Sequence, residues 1–211
     1  MVDRIVSNLN IGSLDLKMID NGDGSFSLAT ASGAGTVAGA ALGMTVTQSP
    51  IREVTSQYQR PNNTTQYATG EVINETVATV KAIPGCSLVP GGGALIESIY
   101  LEVNSNQSTK LSTPEVWIFS NPPAADADNA AFTPEFAELN SRVAIIPLDA
   151  VFVGKADAEA NGTCVYTTSA PIHFGFKCAV GNTNLYWVLV VRNAYTPIAN
   201  EIFRLKLNIQ D

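Results

Sequence analysis

Apolar and polar residues alternate with a period of two along much of this chain, most clearly at the C-terminus. In IFRLKLNIQ, Phe203, Leu205, Leu207 and Ile209 alternate with Arg204, Lys206 and Asn208, which predicts a half-buried strand. LYWVLVVRN (185–193) and VWIFS (116–120) are instead nearly continuous apolar runs rich in β-branched and aromatic residues, as expected of strands in the middle of a sandwich. Weaker strand signals lie in EVINETVATVKAI, ALIESIYLEVN, RVAIIPLDAVFV and PIHFGFK, separated by the turn-rich PGCSLVPGGG, SNPPAAD, EANGT and VGNTN. Short strands punctuated by Gly, Pro and Asn predict an all-β protein, a β-sandwich of jelly-roll-like type. One short helix is expected in TPEFAELNS, with Thr133 as cap, Pro134 at the first helical position and Glu135 facing the N-terminal dipole.

Near the start, Leu14, Leu16 and Met18 alternate with Asp15 and Lys17, and Phe26 and Leu28 alternate with Ser25 and Ser27. Between these arms lies DNGDG, whose Asn-Gly and Asp-Gly pairs supply the positive φ angles of a tight turn. A calcium loop is the rival reading, but from Asp20 its third and fifth positions are Gly22 and Gly24 and its twelfth is Ala31. An EF-hand needs oxygen-bearing side chains and a bidentate Glu there, so the stretch reads as a β-hairpin. The chain then runs uncharged from Gly24 to Ile51. Gly35, Gly39 and Gly43 fall at GxxxG spacing, but a stretch of Gly, Ala, Ser and Thr has too little transfer energy to span a membrane. It reads as a flexible linker or an extended arm that orders against a partner. The expected organisation is a hairpin and low-charge arm over 1–50 and a β-sandwich domain over 51–211.

Charge and cysteine content narrow the classes. The chain carries 12 basic and 19 acidic residues for a net charge of −7, with no basic cluster of the kind that displaces counterions from phosphates, so nucleic acid is not an expected partner. The first ten residues lack the apolar core of a secretory signal, which leads to the expectation of folding in a cytoplasm. Cys86, Cys164 and Cys178 show no CxxC spacing and read as buried thiols. If TCVYTTSAPIHFGFKC is a hairpin turning near Pro171, Cys164 and Cys178 would face each other and could pair.

Groups that could carry chemistry are few. The single histidine, His173, lies between apolar neighbours on an expected strand without a triad or elbow motif, and reads as a structural imidazole. Asp126 and Asp128 have the types of a glycosidase pair but also those of an ordinary acidic loop. VPGGGAL lacks the Lys-Ser/Thr of a P-loop. Trp117 and Trp187 could stack on a sugar, but their apolar surroundings favour core packing. No catalytic, cofactor or metal residue is assigned, and no enzyme is expected.

Several stretches together resemble a group of phage virion proteins. TSQYQRPNNTTQYATGEVIN looks like the segment leading into their first domain strand. GGGALIESIYLEVNSNQSTK with EVWIFSNPPAADADNAAFTPEF is similar to a following Gly-rich turn, strand pair and Pro-rich loop, and NLYWVLVVRNAYTPIANEIFRLKLNIQ to their closing strands. The likeness covers 55–211. It implies a non-enzymatic β-sandwich on the virion, a capsid decoration or cement protein made in the host cytoplasm, whose partner is the major capsid protein. A trimer is expected, because multivalency offsets the cost of ordering an arm. The alternative is a tail or head-fibre module that binds a host receptor or glycan through NNTTQY or PPAADADN.

Overall fold

The computed structural model describes residues 4–11, 14–20, 26–30, 51–104, 111–153 and 163–210. The chain divides into two compact units, Met1–Gln48 and Ser49–Asp211. In the first unit, β1 (Arg4–Ile11), β2 (Leu14–Asp20) and β3 (Phe26–Thr30) form an antiparallel sheet in that order. Asp20 stands opposite Phe26 and Leu16 opposite Thr30, so the chain reverses across 21–25 as the alternation predicts. The turn residues and the segment 31–50 lie outside the described residues. Strand β1 was not expected; it pairs with β2 through a register shift between Ile5 and Ser7, and such a shift breaks the period that sequence reading relies on.

The second unit is a β-sandwich of two antiparallel sheets. Its strands are β4 (Ile51–Gln59), β5 (Val72–Ile73), β6 (Lys81–Ile83), β7 (Gly93–Val103), β8 (Glu115–Phe119), β9 (Arg142–Pro147), β10 (Ala150–Val153), β11 (Cys164–Thr167), β12 (Phe174–Lys177), β13 (Leu185–Val190) and β14 (Ile202–Gln210). The larger sheet has the order β10-β11-β7-β14-β4, with β12 also on β7, and the smaller has the order β5-β13-β8-β9, with β6 also on β13.

One apolar core fills the space between the sheets. Ile99, Leu101, Phe203, Leu205, Leu207 and Ile209 enter it from the larger sheet, and Val116, Ile118, Leu185, Trp187 and Leu189 from the smaller. Tyr58 stacks on Phe203 and packs against Trp187, with ring centroids 5.6 and 5.1 Å away. The Trp187 indole N–H donates to Ser56 Oγ (2.9 Å), which donates to the Ala82 carbonyl (2.7 Å). These bonds satisfy polar atoms that would otherwise be buried at a cost and tie β4 to β6.

Three expectations are corrected. First, 133–141 does not form an α-helix: only a 3₁₀ turn, Glu138–Ser141, is present, with Ala137 as an N-cap that supplies no side chain. Glu138 takes over, its carboxylate accepting the Glu135 N–H (2.7 Å) and the Ala124 N–H (2.5 Å). Second, β11 and β12 are not hairpin partners. Both pair with β7, β11 along Tyr100–Val103 and β12 along Gly93–Ile96, so they lie end to end along a strand of 11 residues. Cys164 stands opposite Val103, whereas the Cys178 N–H bonds the Gly92 carbonyl. At about 3.3 Å per residue that is roughly 36 Å, far beyond disulfide reach; all three cysteines are buried thiols. Third, Trp117 points away from the core, as described next.

Candidate functional site

The most concentrated polar chemistry in the described residues is a buried cluster at one end of the sandwich. Strand β4 sends Val54, Ser56 and Tyr58 inward, and the same period carries the next even position, Arg60, inside, where it is 1% exposed. A buried guanidinium persists only where its charge and N–H groups are met. Arg60 has five N–H donors, and its nitrogens make five bonds. Nε donates to Tyr67 Oη (3.0 Å); Nη1 donates to the Asn63 and Ile198 carbonyls (2.6 and 3.1 Å); Nη2 donates to Asn63 Oδ1 and Asp128 Oδ2 (2.9 and 3.4 Å).

Asp128 is equally engaged. Its Oδ1 accepts the Tyr67 hydroxyl (2.5 Å) and the Asn74 N–H (2.9 Å), and its side chain is 8% exposed. Burial, followed by the hydrogen bond to Asp128, raises the Tyr67 phenol far above its ordinary range. It therefore stays protonated at neutral pH. Beyond it, Tyr195 stacks on Tyr67 (5.8 Å) and donates its hydroxyl to buried Glu201, whose carbonyl accepts the Arg60 N–H (3.0 Å). These groups are bonded chiefly to one another. The cluster is a clamp joining the end of β4, the 61–74 loop, the 126–129 loop and 195–201.

The candidates from sequence are thereby dispersed. Asp128 belongs to the clamp, and Asp126 sits two residues away, where burial and then the nearby Glu138 charge raise its carboxyl; they do not face a common cleft. His173, though flanked by Ile172 and Phe174 in sequence, is not a core imidazole: its side chain is 61% exposed, with Nδ1 2.9 Å from Glu97 Oε2. The Gly-rich turn cradles nothing, since the Gly91 and Gly92 N–H groups bond the Asn182 and Val89 carbonyls and a Cβ on Gly92 would lie 2.3 Å from Ser87 Oγ. Buried Cys86 has its thiol pushed up to about 12 by desolvation. Among the described residues no group of three His, Cys, Asp or Glu could hold a metal. The clamp residues Arg60, Tyr67, Tyr195 and Glu201 were missed; extending the β4 alternation by one step was the signal for Arg60.

The surfaces of the two sheets differ. The outer face of the smaller sheet is covered: Phe119, Val72, Val188 and Val190 form a second apolar cluster with Trp117, Phe132, Val80 and Tyr186. Trp117 meets Phe132 edge-on at 5.0 Å and lies beneath the Arg142 guanidinium, 5.7 Å away, so it is partly covered, while Trp187 is buried. Among the described residues no second layer covers the outer face of the larger sheet, which is crossed by ion pairs from Arg204 to Glu102 (3.2 Å) and from Lys206 to Glu102 and Glu53 (2.7 and 3.9 Å). Between the sheet edges, an open groove of about 190 Å³ is lined by Ile145, Pro147, Pro171, Ile172 and Phe174.

No family model, curated protein or solved structure matches the chain.

Proposed function

We propose that the chain is a non-enzymatic structural protein of a phage virion that binds the outside of the capsid as a decoration or cement protein, with the major capsid protein as its partner. The carrying observation is that Arg60, Tyr67, Asp128, Tyr195 and Glu201, the largest buried polar cluster of the sandwich, bond to one another, which suits a rigid body whose work is done at its surface. The resemblance over 55–211 and the low-charge stretch of 24–51, suited to ordering over a partner, support the same reading. The test is co-sedimentation with undecorated capsids, comparing the full chain with one starting at Ser49. Binding by the full chain alone assigns the contact to the N-terminal unit; binding by both assigns it to the sandwich; binding by neither rejects decoration.

One observation favours a second reading, a tail or head-fibre module for a host glycan. The two loops that could serve it lie side by side: Asn129 Nδ2 donates to the Gln66 carbonyl (3.0 Å), and residues 62–66 are exposed. Retention on a glycan array, lost on replacing Asn62 and Thr64 with alanine, is the result this reading requires.

A further inference from the structure

The edges of the larger sheet are built differently. Along β4 the outward positions after Ile51 are Glu53, Thr55, Gln57 and Gln59, and Arg52 reaches the Gly85 and Cys86 carbonyls (2.7 and 3.3 Å). Charge and side-chain ties of this kind keep an edge from pairing with other chains. Strand β10, AVFV, has neither charge nor proline. It ends the sheet order, with β11 on one side and no described strand on the other. Phe152 is 65% and Val151 43% exposed. The register sets Phe152 beside Val165 on the outer face and Val151 beside Tyr166, where Leu111 and Leu148 line a shallow hollow with them.

We propose that β10 pairs antiparallel with β10 of a second copy about a twofold axis. Directly opposed residues must share a face, so the axis passes through Phe152, setting it against its own counterpart, or through Val151, setting Phe152 against Ala150. The axis through Phe152 also pairs Val151 with Val153, whereas the axis through Val151 pairs Val151 with itself and sets Asp149 opposite Val153, so the first register is the more apolar. The pairing also suits the charge. Two chains of net charge −7 repel, yet nothing charged lies within this strand. The adjoining carboxylate, Asp149, is turned onto the Ser169 N–H and hydroxyl (2.6 Å each). The two copies of Asp149 would stand four or six residues apart, about 13–20 Å, beyond the screening length of about 8–10 Å in ordinary salt. Glu102, two strands inward, is neutralised by Arg204 and Lys206.

The test is sedimentation velocity on the full chain over a wide concentration range, with Phe152→Lys and, on the opposite edge, Thr55→Lys as control. Both sites are exposed, and circular dichroism verifies folding. The expected result is a monomer–dimer equilibrium whose midpoint moves by at least about tenfold in Phe152→Lys and stays in place in Thr55→Lys. A wild type that remains monomeric, a trimer, or a dimer indifferent to Phe152→Lys overturns the proposal. None of these outcomes depends on capsid binding, so the two readings fail separately.

Discussion

Among the described residues, the larger sheet of the sandwich has one face without cover, and the smaller sheet buries both. In β14 the core positions Phe203, Leu205, Leu207 and Ile209 are fully buried while Arg204 and Lys206 stand outside in an ion-pair lattice. In β13 every residue is apolar, but its side chains divide by parity: Leu185, Trp187 and Leu189 enter the central core, and Tyr186, Val188 and Val190 enter the outer cluster beneath Val80 and Phe132. The strand geometry is common to both. What differs is whether a loop lies over the outer face, and that cover turns an alternating strand into a continuous apolar run.

The strongest break of this comparison is a matched pair of truncations on the two outer faces. Phe119→Ala, under the cover, should cost about 3–5 kcal/mol, whereas Tyr100→Ala, on the bare face, should stay within about 1 kcal/mol. Urea denaturation of both variants reads the difference, and equal losses would mean the cover contributes nothing. Arg60→Ala tests whether the clamp also holds loops to the sandwich end. Removing the cation leaves Asp128 buried without its charge partner, a loss expected to be about 3–5 kcal/mol and visible as a lowered urea midpoint.

The smallest effect belongs to the bare face. Lys206→Met should change stability by less than about 1 kcal/mol and by still less in molar salt. The hydrogen bond to Glu102 holds the Lys206 ammonium above its ordinary range. A raised folded pKa means that its contribution is fully present below the usual lysine value and disappears as pH rises through the folded one. The wild-type and Lys206→Met denaturation midpoints should therefore converge in strongly alkaline buffer, and a gap that persists there would remove the ion pair as its cause.

Strands with unbroken patterns were legible in advance: β14 by alternation, β13 and β8 by their apolar runs, and the β2–β3 pair by the alternation of its two arms. Strand β4 was not, because its inward row contains Ser56, whose hydroxyl is acceptable inside only because Trp187 and Ala82 supply its partners. The β11–β12 hairpin failed for another reason. The PIHFGFK signal marked β12, and β11 was expected only as its hairpin partner, but nothing local states which neighbour a strand joins, and β7 is long enough to take both on one edge. The clamp was hidden in the same way, since Asp128 and Glu201 come from segments far from Arg60 and Tyr67 in the chain.

The sequence by itself determined the fold class, most strand positions and the inward face of β14, because side-chain direction in a strand follows from a period of two residues. Tertiary structure alone decided which strands share a sheet, which outer face is covered, that Trp117 lies on the outside of its layer, and that an arginine could be buried. Those outcomes depend on contacts between residues distant in sequence: a polar group is tolerated inside only when its partners arrive from elsewhere in the chain.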